Sequence, residues 1–92
     1  MSDPQPTPML HQYREMKRRH PVALLLFRLG DFYELFEEDA RTAARELKLV
    51  LTSRRFSKAV NLLMCGVPYR SITSYVARLL ERGHKVAIAE QL

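Results

Sequence analysis

The stretch Val22 to Leu29 reads Val-Ala-Leu-Leu-Leu-Phe-Arg-Leu, apolar at every position but Arg28. A run this short and this apolar suits a β-strand covered on both faces. Gly30-Asp31 follows, a Gly-first pair that suits a two-residue hairpin turn. Phe32-Tyr33-Glu34-Leu35-Phe36 then reads as a second strand folding back on the first. Side chains alternate between the faces of a strand, so Phe32 and Glu34 share one face while Tyr33 and Leu35 share the other.

Helical periods surround this hairpin. Residues 1–6 form a polar, Pro-rich lead expected to be disordered. Thr7-Pro8 then supplies a hydroxyl cap and an N-terminal Pro for a helix that puts Leu10, Tyr13 and Met16 on one side and ends before Pro21. Glu37-Glu38-Asp39 opens a second helix, with negative charge at the positive end of its dipole. Ala40, Ala43, Ala44 and Leu47 give that helix a narrow small-residue stripe. Leu49 to Leu51 is a strand candidate, Ser53 to Asn61 a polar loop, and Leu62 to Val67 a strand closed by Pro68. Ser71 can cap a third helix, whose Ile72, Tyr75, Val76, Leu79 and Leu80 carry the cleanest helical period in the chain. Gly83 stands where helices commonly end in a left-handed residue. Lys85 to Glu90 is a last strand. The interleaving predicts an α/β fold, a small mixed β-sheet flanked by about three helices.

The chain has 92 residues, enough for one compact domain, with 15 Lys and Arg against 10 Asp and Glu, a net charge of +5. Such a surplus favours polyanionic partners through phosphate neutralisation and counterion release. Cys65 is the only cysteine, so neither an internal disulfide nor a cysteine-based metal cluster is expected; a small buried role suits it. No signal peptide is visible, and the apolar run Val22 to Phe27 is far too short to span a membrane, so a cytoplasmic location is expected.

Catalytic patterns are missing. Gly30, Gly66 and Gly83 fit neither the Walker nor the dinucleotide arrangement. His11, His20 and His84 fall on separate elements without ligand spacing. The acids Glu34, Glu37, Glu38 and Asp39 could be imagined around Mg²⁺ in a nuclease, but the last three are better explained as helix-start residues. No catalytic residue, metal site or cofactor is assigned within these residues. Two features remain. Arg54-Arg55-Phe56-Ser57-Lys58 is a basic segment suited to phosphate contact, although a solvated basic loop would look the same. Phe32 and Glu34 share a face that cannot easily be both core and carboxylate-bearing. Either Phe32 is exposed beside Glu34, or Glu34 lies at the rim of the strand. An exposed Phe on a basic domain is the kind of wedge that minor-groove proteins push between base steps.

The segment Leu29-Gly30-Asp31-Phe32-Tyr33-Glu34-Leu35-Phe36 resembles the hallmark of the N-terminal domain of the MutS mismatch-repair family. Thr7-Pro8-Met9 with Tyr13, His20-Pro21, Leu51-Thr52, Met64-Cys65-Gly66-Val67-Pro68-Tyr69 and Val86-Ala87-Ile88-Ala89-Glu90-Gln91 agree with it in order, so the resemblance runs from about residue 7 to 92. It implies a mismatch-recognition domain over 7–92, continued in family members by further domains, and mismatched double-stranded DNA as the partner. Phe32 then corresponds to the aromatic that stacks on the mispaired base from the minor groove, and Glu34 to the carboxylate that hydrogen-bonds that base. Arg54 corresponds to a basic position at the DNA backbone, with Arg55 and Lys58 as further candidates. ATP and Mg²⁺ belong, on the same resemblance, to a separate domain of the full-length family, and dimerisation to regions beyond this chain. The sequence departs from the family pattern at Cys65, where Ala is usual, at Arg70, where His is usual, and over Phe56 to Leu63, which lacks a Gly- and Pro-containing run. A stand-alone module that uses the same domain outside repair is the alternative.

Overall fold

The computed structural model describes residues 8–90, so the residue 1–6 lead, the Thr7 cap and Gln91 lie outside the described residues. Helix α1 (Pro8–Arg19) is followed by the strands β1 (Leu24–Leu29) and β2 (Phe32–Phe36), then helix α2 (Glu37–Leu47). The hairpin of β3 (Thr52–Arg55) and β4 (Asn61–Pro68) comes next, then a 3-10 turn at Tyr69–Ser71, helix α3 (Ile72–Glu81) and β5 (Val86–Ala89). The strands form one mixed sheet in the order β3-β4-β2-β1-β5, with β5 parallel to β1 and the other pairs antiparallel.

The sheet separates two cores, which is why β1 is apolar on both faces. On one face Leu24, Leu26, Tyr33, Leu35, Cys65 and Val67 pack against the Ala40, Ala43, Ala44 and Leu47 stripe of α2 and Leu79 of α3. On the other face α1 lays Leu10 and Tyr13 over Leu25, Phe27 and Phe36. Edge-to-face ring contacts organise this second core: Tyr13 meets Phe36 with centroids 4.8 Å apart, and Phe36 meets Phe56 at 5.3 Å. Each such pair contributes roughly 0.5–1.5 kcal/mol beyond its area burial. Cys65 is buried as expected; burial pushes its thiol up to about 11, and its Sγ lies 3.5 Å from the Ala40 carbonyl.

Several expectations are corrected. Leu49 to Leu51 is not a strand: Lys48 ends α2 in the left-handed region (φ 56°), Leu49 N–H bonds back to Ala44 O at 3.0 Å, and Val50 is 82% exposed. The region read as a polar loop from Ser53 to Asn61 begins instead with the edge strand β3, leaving only a short connection to β4. Edge strands tolerate polar and charged residues on both faces, so Thr52-Ser53-Arg54-Arg55 carries no alternation to reveal it. Phe56, the aromatic in that basic segment, is buried against Phe36 rather than displayed. Ser71 makes no side-chain cap on α3 because the 3-10 turn leads the chain into the helix. Gly83 does close α3 as expected. It has φ +88°, its N–H bonds Leu80 O at 3.0 Å, and His84 N–H bonds Leu79 O at 3.1 Å. That is the paired arrangement of a Schellman ending.

The acids at the start of α2 do more than oppose the helix dipole. Asp39 is buried, accepts Leu25 N–H at 3.1 Å and pairs with Lys17 at 2.9 Å, tying α2 to β1 and α1. Glu37, at φ 55°, accepts Leu63 N–H at 2.7 Å. Each of these two acids thus has its own partner in the fold.

Candidate nucleic-acid interface

The β1–β2 hairpin presents Phe32 at its tip. Leu29 pairs with Phe32 across the ladder, leaving Gly30-Asp31 as the two-residue turn, and Gly30 has φ +61°. A left-handed residue at the first turn position matches the twist of the strands, and Gly adopts it without steric cost. Every other residue of β2 is buried, yet Phe32 is 45% exposed. A ring that could have been core is instead held at the surface.

The ring has a defined seat. Phe32 pairs with Pro68 and Glu34 with Gly66 on β4. A Cβ on Gly66 would lie 3.6 Å from Phe32 Cδ2, 3.5 Å from Glu34 Cγ and 3.4 Å from the Tyr33 carbonyl. Those are ordinary contact distances, so a methyl group would fit and anything larger would press on Phe32 and Glu34. Gly66 lies in the run Met64 to Tyr69 that carries part of the family resemblance, but nothing in its spacing to Phe32 or Glu34 along the chain marks the contact. The available signal was a lone Gly inside an apolar strand, which often marks a close approach.

Glu34 is not bare. Of the two alternatives the sequence leaves open, Phe32 is the exposed one, and Glu34 beside it is only 4% exposed rather than at a wet rim. Arg54 reaches across β4 and grips the carboxylate with both arms, Nε to Oε1 and Nη2 to Oε2, each at 2.6 Å. A desolvated carboxylate on this face requires such a partner. The two hydrogen bonds also raise the Arg54 pKa above its ordinary value. Phe32, Glu34 and Arg54 therefore sit on one face, the one covered by α1 elsewhere. A cleft of about 500 Å³ lined by Met9, Leu29, Gly30 and Arg54 opens on the same side.

Arg55 and Lys58 are exposed at the β3–β4 connection, apart from the Glu34 pair. That connection is closed by its own bonds: Phe56 N–H to Val60 O at 2.8 Å, and Arg55 Nη1 to Lys58 O at 3.2 Å. Its geometry needs neither the Gly nor the Pro that the segment lacks.

Residues 7–92 match the family model described as MutS domain I. The chain belongs to the MutS domain I family.

Among similar curated proteins are the "DNA mismatch repair protein MutS" of Dehalococcoides mccartyi, 54% identical over 86 residues, and those of Persephonella marina and Carboxydothermus hydrogenoformans, each 56% identical over 86 residues. The alignments cover 94% of this chain but 10% of each relative, so the chain spans about a tenth of the length of the proteins it matches. In this MutS domain I the two single-residue departures have simple surroundings. Cys65 takes a buried site on β4 that favours a small side chain. Arg70 lies at the surface with its guanidinium carbon 5.5 Å from the centre of the Tyr69 ring, and both line a pocket beside Phe32. No helix among the described residues is long and apolar enough to cross a membrane.

Proposed function

We propose that this domain recognises mismatched double-stranded DNA in mismatch repair, with Phe32 as a wedge entering from the minor groove. The observation that carries the reading is the 45% exposure of a phenylalanine at the tip of an otherwise buried hairpin strand. Opening a base step costs a few kcal/mol, and the cost falls where pairing is already faulty, so a wedge of fixed shape enters a mismatch more readily than a sound duplex. Stacking a ring on the exposed base returns roughly 1–3 kcal/mol with little dependence on base identity.

Glu34 contacts the mispaired base, and Arg54 makes that possible. A carboxylate has about four acceptor positions; Arg54 occupies one on each oxygen. The guanidinium also offsets the negative charge that would otherwise be repelled by nearby phosphates. Only Nε and Nη2 are committed to Glu34, so Nη1 is available to the DNA backbone. Arg55 and Lys58, exposed at the adjoining turn, extend the phosphate contacts, in keeping with the net charge of +5. ATP hydrolysis with Mg²⁺ and dimerisation, on this reading, are the work of the further regions of a protein as long as the relatives.

The test is the ratio of affinities for a duplex with one mismatch and the same duplex fully paired, measured in the full-length protein. Phe32→Ala should bring that ratio close to one while leaving ATP hydrolysis in place. A ratio equal to that of the unaltered protein would refute the wedge.

A further inference from the structure

The turn that carries Phe32 is anchored from the opposite face of the sheet. Both of its carbonyls are fixed by groups outside the ladder: Arg28 Nε donates to Gly30 O at 2.6 Å, and Tyr69 N–H donates to Asp31 O at 2.9 Å. The Arg28 guanidinium carbon lies 4.2 Å from the centre of the Tyr69 ring and 5.4 Å from that of Tyr33. Its Nη1 lies 3.4 Å from Glu90 Oε1, and the other Glu90 oxygen accepts the Tyr33 hydroxyl. One planar cation therefore joins the turn, two aromatic rings from β2 and the 3-10 turn, and a carboxylate just beyond β5.

We propose that Arg28 is a positioning residue for Phe32, acting through the Gly30 carbonyl to hold the hairpin tip in the insertion geometry. This rests on the wedge reading above. Gly30 is the most freely rotating residue type at the point where the wedge meets the strand, and without an external bond the tip could swing. A ring that must enter a base step gains from being ordered beforehand, because the ordering cost is then not charged against binding. Arg suits the position better than Lys. Its flat fork can stack on Tyr69, bond Gly30 O and face Glu90 at once, whereas the compact ammonium of Lys cannot. The side chain lies on the sheet face opposite Phe32, Glu34 and Arg54, so it is not itself a DNA contact.

Arg28→Lys, which keeps the charge, should lower the mismatched-to-matched affinity ratio by on the order of tenfold, the value of a hydrogen bond to a charged group. Matched-duplex affinity should stay near that of the unaltered protein. In a Phe32→Ala background the same substitution should lower the ratio no further. Fluorine NMR on protein carrying a fluorinated phenylalanine at position 32 reads the ring directly, and Arg28→Lys should shift or broaden that resonance before DNA is added. Glu90→Gln, a milder change to the same network, should move both readouts in the same direction by a smaller factor. If Phe32→Ala abolishes discrimination but Arg28→Lys leaves the ratio and the fluorine signal unchanged, Arg28 has no positioning role and the wedge stands. If Phe32→Ala leaves discrimination intact, the wedge falls, and the fluorine signal still decides whether Arg28 orders the ring.

Discussion

Arg54 holds Glu34 face on, its Nε and Nη2 each 2.6 Å from a different carboxylate oxygen. The pair joins β3 to β2 across the whole width of β4. Its asymmetry matters: the Glu34 side chain is 5% exposed and that of Arg54 37%. The acid depends on the pair for its solvation, while the base retains some water of its own.

Arg54→Ala should therefore destabilise the domain through the carboxylate it leaves behind. Removing one member of a fully buried pair costs about 3–5 kcal/mol; with Arg54 more than a third exposed, the expected loss is nearer 1–3 kcal/mol. Glu34→Gln placed in the Arg54→Ala background should recover part of that loss. Denaturant titration of the two single variants and the double variant gives the coupling. Additive losses would show that the pair contributes nothing of its own.

Gly66 should tolerate one carbon and no more. A Cβ there meets its neighbours at 3.4 to 3.6 Å, which is ordinary contact, so Gly66→Ala should cost within about 1 kcal/mol and leave mismatch preference largely intact. Gly66→Val adds two methyl groups against Phe32 and Glu34. It should cost roughly 1–3 kcal/mol by overpacking and displace the ring, with discrimination falling as well. Thermal unfolding and the duplex affinity ratio read the two effects separately. Equal discrimination in both variants would mean that the seat does not set the ring's position.

The acid limb of stability should contain a contribution from Glu46. Hydrogen bonds from Arg82 and His84 hold its carboxyl down to about 2 from an ordinary value of 4.5. A carboxylate whose pKa is lower folded than unfolded binds fewer protons in the folded state. Its contribution is complete above about pH 4.5 and is lost as pH falls toward 2. Chemical denaturation at several pH values across that window should show a shallower fall for Glu46→Gln than for the unaltered chain. Identical slopes would place the acid sensitivity elsewhere.

The α/β class and the order of helices and strands were legible in the sequence because they depend on local periods. An apolar run covered on both faces, a Gly-first turn, a small-residue stripe and a left-handed Gly each report a backbone state through side chains close by in sequence. The resemblance likewise marked Phe32, Glu34 and Arg54 one by one. Burial of Glu34 was not legible, since it depends on Arg54, twenty positions away and two strands across the sheet. Nor was β3, whose residues sit on a sheet edge where no alternation is enforced. The seat at Gly66 and the brace from Arg28 to Gly30, Tyr69 and Glu90 were decided by the assembled sheet, which brings together residues far apart in the sequence. Local pattern states which face a side chain takes; only the assembled sheet determines whether that face meets water, a partner or another side chain.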